Sequence, residues 1–165
     1  KLHRPRDEMI FLVKEKIVMQ RIRNLKLNRR LISAFDNEQF YTFNSVNNLI
    51  IKESSKYNIR YFVGLLNSKL INHVFKSYSL NTNITASDLD RLPIREINDD
   101  IKPEKQAHDK IVSHVNKLLE LNKSAEPDQK QIQHYENQID KLVYELYGLT
   151  EDEIKIIEEA TSGNS

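Results

Sequence analysis

Short apolar clusters separated by turn-forming residues fill the first third of the chain. Residues 16–23, KIVMQRIR, read as a strand of β-branched and long apolar residues, led in by a short helix over 7–13. LISAFDNEQFYTFNSVNNLIIKE (31–53) continues in the same way. Phe35 and the aromatic run 40–43 are strand formers, Asp36-Asn37 and Asn47-Asn48 are turn formers, and LIIK (49–52) closes the set. Strands this short and this closely spaced predict a small, largely antiparallel sheet or barrel.

The period changes after Ser54-Ser55. With Asn58 as cap, Phe62, Leu66, Leu70 and Val74 recur every four residues, which predicts one helix of about five turns with a wide apolar face. Residues 79–97 read as a polar loop and then an extended piece, because Pro93 keeps Leu92 out of the helical region. Two amphipathic stretches follow. The first, 104–123, carries Ile111, Val115 and Leu118; the second, 128–147, carries Ile132, Ile139 and Leu142. The short break between them, 124–127, makes them an antiparallel hairpin. Gly148 supplies a left-handed cap, Thr150 with Glu153 forms a capping box that opens a last short helix, and the tail 161–165 is expected to be loose. The predicted fold class is α+β. A small, mostly antiparallel β recognition domain with a packed helix spans 1–100; a helical hairpin plus short terminal helix spans 103–160.

Composition narrows the chemistry. Hydrophobic residues make up 39% and charged residues 30% of the 165, as in a folded domain with a real core. No cysteine is present, which excludes disulfides and thiolate metal sites and fits a cytoplasmic location. No apolar run approaches the roughly 20 residues of a membrane span. The chain opens on Lys1 rather than Met, and the expectation is a fragment of something longer. Three glycines leave no phosphate-cradling loop, no two of the five histidines stand at i, i+4, and no serine lies in a G-x-S-x-G elbow. Glu153-Ile154-Lys155 has the E-x-K spacing of some metal-dependent nucleases, but it follows a capping box on an amphipathic helix rather than lying on a strand. A self-contained active site is not expected, nor a metal.

Charge divides the chain in two. Residues 1–60 hold 13 Lys/Arg against 6 Asp/Glu, whereas residues 103–165 hold 7 against 13. The stretch KIVMQRIRNLKLNRR (16–30) starts as a core strand and runs into positive charge with no acid at all. Arg21, Arg23, Lys26, Arg29 and Arg30 beside Gln20 and Asn24 suit duplex DNA. The cations pair with phosphates and release counterions, while Arg reads guanine and Asn or Gln reads adenine. Asn81 and Asn83 in the polar loop form a second candidate reader, and Asn44 either holds a turn or reaches a base. On side-chain type alone, a solvated face balanced by the acids of the C-terminal helices explains the same run equally well. A rival from another class makes the hairpin the working part: a helical protein–protein interaction module using Ile111, Leu118, Ile139 and Leu142, with the β half as scaffold.

Taken together, KIVMQRI, AFDNEQFYTFNSVNNLIIKE, YFVGLLNSKLINHVFK and ITASDLDRLPI, in this order over 16–94, resemble the TaqI-like C-terminal specificity domain. That domain is the target recognition domain of adenine-specific DNA methyltransferases and of fused type IIG restriction-modification enzymes. KPEKQAHDKIVSHVNKLLELNK (102–123) is similar to the start of the conserved helix of type I restriction specificity subunits, and IDKLVYELYGLTEDEIKIIEE (139–159) to the usual ending of the fused enzymes. The resemblance implies that a separate part of the parent chain binds S-adenosylmethionine and methylates adenine N6 after flipping the base out. In such families that part holds a Gly-rich cofactor loop and an Asn-Pro-Pro-Tyr-type motif. Neither is found here, so this chain is expected to be non-catalytic and to hold no cofactor itself. Its implied partners are double-stranded DNA and the parent's methyltransferase domain, with the hairpin as spacer and docking surface. Asn67-Ser68 is expected to bond nearby backbone rather than DNA, and Leu92-Pro93-Ile94 to dock a last strand on the core.

Overall fold

The computed structural model describes residues 8–52 and 55–162; residues 1–7, 53–54 and 163–165, including Asp7, Ser54 and most of the expected loose tail, lie outside the described residues. Helix α1 (Met9–Leu12) leads into a three-stranded antiparallel sheet of order β2-β1-β3, formed by β1 (Lys16–Gln20), β2 (Ser33–Asp36) and β3 (Val46–Leu49). β1 is central because its alternate residues carry the core. Ile17 and Met19 are buried, and Ile17 faces Phe35 on one side and Leu49 on the other.

Two local expectations give way to tertiary pairing. Asn47 and Asn48 do not turn the chain; they lie within β3, opposite Met19 and Val18. The turn comes earlier, where the Val46 amide bonds the Phe43 carbonyl at 3.0 Å. The aromatic run 40–43 is not a strand. The Asp36 carboxylate accepts from the amides of Glu38 at 2.8 Å and Phe40 at 3.1 Å, which curls the chain away from the sheet and leaves Phe40, Tyr41 and Phe43 exposed.

The expected single helix is two, α2 (Ile59–Asn67) and α3 (Lys69–Tyr78). Asn58 caps the first by accepting from the Arg60 amide. Ser68 breaks the run: it is extended (φ −68°, ψ 153°), its hydroxyl donates to the Leu65 carbonyl at 2.7 Å, and it accepts from the Ile71 amide to cap α3. The break frees Asn67 and Asn72 for long-range work. Asn67 pairs its carboxamide with both backbone groups of Ser33 on edge strand β2, each at 2.8 Å, so the edge is closed by a side chain. Asn72, fully buried, accepts from the Arg30 and Leu31 amides and donates to the carbonyls of Leu31, Leu66 and Ser68.

The segment after α3 contains a helical turn, α4 (Ala86–Leu89), opened by a Thr85–Asp88 capping box. Beyond it Leu92 is buried, but no strand follows. Tyrosine hydroxyls grip the backbone instead. Tyr147 donates to the Pro93 carbonyl and accepts from the Arg95 amide, Tyr61 donates to the Arg95 carbonyl, and Tyr57 accepts from the Ile97 amide.

Helices α5 (Lys102–Leu121) and α6 (Gln129–Tyr147) form the hairpin, capped by Asp128 at the start of α6 and by left-handed Gly148 (φ 67°) at its end. The Thr150–Glu153 box opens α7 (Glu151–Ser162), which runs into the stretch expected to be loose. One hydrophobic cluster extends from Ile17 of β1 through Leu65 and Ile71 to Ile111, Ile139 and Ile157. At its centre α2 and α5 approach so closely that a Cβ on Gly64 would lie 2.6 Å from Ile111 Cγ2. The rival reading of the hairpin therefore loses its surface. Ile111 and Ile139 are buried in this cluster, and Leu118 and Leu142 are half-buried against it.

Candidate nucleic-acid interface

β1 does not stop acting as a strand at Gln20. Its extension, residues 21–23, is held by two segments. The Arg21 amide bonds the Ser45 carbonyl at 2.8 Å, next to β3. The Arg23 amide then bonds the Thr82 carbonyl at 2.9 Å and the Ile84 amide bonds the Arg21 carbonyl at 2.7 Å, with Ile22 and Asn83 paired antiparallel between them. The Asn47 side chain ties the two segments together through the Ile84 carbonyl at 2.9 Å. Three segments distant in sequence thus meet at one end of the sheet.

Most of the candidate residues converge there. Gln20, Asn24, Lys26, Asn44, Asn81 and Asn83 are exposed, and Arg21 and Arg23 half-exposed. Arg23 Nη1 donates to Gln20 Oε1 at 2.7 Å and Nη2 to the Arg29 carbonyl at 2.9 Å, so it braces the loop from within. Asn24 Oδ1 accepts from the Lys26 amide and sets the loop's first turn. Arg21 Nη1 reaches the Asn44 carbonyl at 3.5 Å. The carboxamides of Asn44, Asn81 and Asn83 make no hydrogen bond with other described residues.

Two candidates lie elsewhere. Arg29 pairs with Glu136 of α6 at 3.1 Å, at the mouth of an apolar cavity of about 440 Å³ bounded by β2, α2, α5 and α6. Arg30 is 1% exposed. Its guanidinium stacks on Phe75, donates to the Ser79 carbonyl at 2.6 Å, and bonds the Asn81 carbonyl. Burial pulls its pKa below the ordinary arginine value, only partly offset by the charge of Asp88. Arg30 therefore positions the loop that presents Asn81 and Asn83 rather than presenting itself. No local pattern marks this role, because Phe75 and Ser79 are more than forty residues away.

Sequence reasoning also missed an inversion of phase. Positions 17 and 19 are buried and apolar; continuing the alternation, 21 and 23 are half-exposed arginines, while position 22 between them is an isoleucine, 61% exposed. The signal was present in the strand period and is the reverse of an ordinary solvated strand.

The family model of the TaqI-like C-terminal specificity domain matches residues 1–94. This chain belongs to that family. Among solved structures, this chain is similar to a type IIL restriction-modification enzyme, MmeI, solved in complex with DNA. The identity is 15% and the TM-score 0.62, over 90% of this chain and 22% of that one. The chain thus spans about a fifth of the length of the enzyme it resembles, and at this identity the likeness is one of fold. No curated protein sequence matches the chain. No helix among the described residues is long and apolar enough to cross a membrane.

Proposed function

We propose that this chain is the sequence-specific double-stranded DNA recognition part of a restriction-modification enzyme. Methyl transfer to adenine N6, with S-adenosylmethionine, and any cleavage would belong to the rest of the parent chain. The family membership and the solved relative with DNA support the class. The observation that carries the reading for this molecule is the convergence of 20–26, 44–45 and 81–84. It gathers cations with unbonded carboxamides at one sheet end, while the acids of α6 and α7 pair with Arg29 and Lys69 elsewhere. Among the described residues, Gly64 is packed inside α2 and Gly148 ends α6, which supports placing the cofactor on the remainder of the parent.

The test is selection from a random duplex pool, followed by affinity against salt. Two cations at the interface that do not brace the loop from within, Arg21 and Lys26, give a log–log slope of about −2 at roughly 0.9 per phosphate. Lys26→Ala is expected to reduce that slope by about one without loss of stability. Arg30→Met is expected to destabilise the protein instead. Binding that ignores salt, or a pool that yields no preferred sequence, defeats the proposal.

A further inference from the structure

The inverted phase at Ile22 goes further than a general DNA-binding surface. A single exposed isoleucine is ordinary. This one is flanked by two arginines whose guanidiniums are turned to backbone and to Gln20, and it stands directly opposite an asparagine. The hydrogen bonds on either side, Arg23 amide to Thr82 and Ile84 amide to Arg21, make Ile22 and Asn83 a non-hydrogen-bonded antiparallel pair. In such a pair the Cα atoms are about 4.5 Å apart and both side chains leave the same face. Both residues are exposed, and the Asn83 carboxamide makes no hydrogen bond with another described residue. The result is an apolar methyl-bearing group and a free carboxamide, side by side, on a two-stranded ribbon rimmed by positive charge.

Resting on the recognition function proposed above, we infer that Ile22 and Asn83 together read one A·T base pair from the major groove. Ile22 would pack on the thymine C5-methyl, and the Asn83 carboxamide would accept from adenine N6 and donate to adenine N7. The chemistry is specific. Only the major groove shows both the methyl and the adenine N6/N7 pair, and a two-stranded ribbon is narrow enough to enter it. The minor groove offers neither group.

The test uses the duplex chosen by the pool selection. Each A·T pair fixed in that sequence is altered singly, with uracil for thymine or 7-deazaadenine for adenine. At one and the same pair, uracil is expected to weaken wild-type binding about fourfold, the value of one buried methyl, and 7-deazaadenine about tenfold. Ile22→Ala is expected to be indifferent to uracil at that pair while still sensing 7-deazaadenine; Asn83→Ala is expected to show the converse. Both side chains are exposed, so the variants should fold, and the wild-type measurements stand without them. Sensitivity at no pair, or at two different pairs, overturns this inference and leaves the recognition function intact. A pool that enriches no sequence removes the recognition function, and this inference with it.

Discussion

Lys16 and Asp36 face each other across β1 and β2 and form a buried ion pair of 2.9 Å, with Lys16 Nζ also donating to the Phe11 carbonyl. The pair sits at the end of the sheet opposite the cationic loops. Burial pushes the Asp36 carboxyl up, but the hydrogen bond from Lys16, the Glu38 and Phe40 amides and the Lys16 charge together hold it below the ordinary aspartate value. A depressed folded-state value means the stabilisation is complete above the unfolded-state value and is lost as the pH falls through the folded one. Lys16→Met should cost about 3–5 kcal/mol at neutral pH, because it leaves an unpaired buried carboxylate. It should also remove part of the acid-side loss of Tm. Thermal unfolding of both proteins from pH 7 down to pH 3 checks this.

Asp140 behaves in the opposite sense. Desolvation pushes its carboxyl up to about 6, against the Lys69 amide, which donates to Oδ1 at 2.8 Å, and the Lys69 charge. The other oxygen, Oδ2, is buried, lies 3.8 Å from Lys69 Nζ and has no hydrogen bond. Between the ordinary aspartate value and about 6 the folded protein keeps a proton that the unfolded chain has released. Stability therefore falls as pH rises through that window, by about 3 kcal/mol if the group acted alone. Asp140→Asn keeps the acceptor and removes the charge. Urea denaturation should show it more stable than wild type by about 1–3 kcal/mol at pH 8, and near parity at pH 4.5.

Asn72 supplies the acceptor for two successive buried amides, Arg30 and Leu31. Asn72→Ala leaves both unpaired, at about 1–3 kcal/mol each. A loss of about 3 kcal/mol or more is expected in denaturant titration, with faster amide exchange concentrated at residues 30–33. Uniform acceleration over the whole chain would mean that Asn72 has no special hold on this segment.

Gly64 is fixed by proximity, not by backbone conformation. A methyl at this position would also lie 3.3 Å from Val115 Cγ2, so Gly64→Ala must displace α5 or distort Ile111. Overpacking of this kind should cost about 1–3 kcal/mol. Gly64→Ala combined with Ile111→Ala should recover part of the loss; additivity in the double-mutant cycle would show that the two sites do not touch.

The hairpin and terminal helices were legible because their apolar period and their caps are local, whereas the break at Ser68 between α2 and α3 and the helical turn α4 were not. Asn58, Asp128, Gly148 and the Thr150–Glu153 box act within a few residues of where they stand. Strand ends were not, because pairing with β1 outweighs the turn preference of Asn47-Asn48. The interface was legible as a composition but not as a surface. Nothing near Arg30 in sequence announces Phe75, and Glu136 stands 107 positions from Arg29. The reading of Asn67-Ser68 as a backbone-bonding pair was recoverable, since two polar residues interrupting an apolar face must find partners inside the fold.

The shared core sets where such chains can exchange their specificity. Ile111 and Val115 roof the glycine of α2, and Tyr147 fastens the strap at 93–95, so a graft of the first 94 residues alone would arrive without its lid. A crossover between two parents, natural or engineered, is expected to succeed downstream of Tyr147. Upstream of Lys102, it needs an incoming helix that keeps a small-on-large fit against the transplanted glycine.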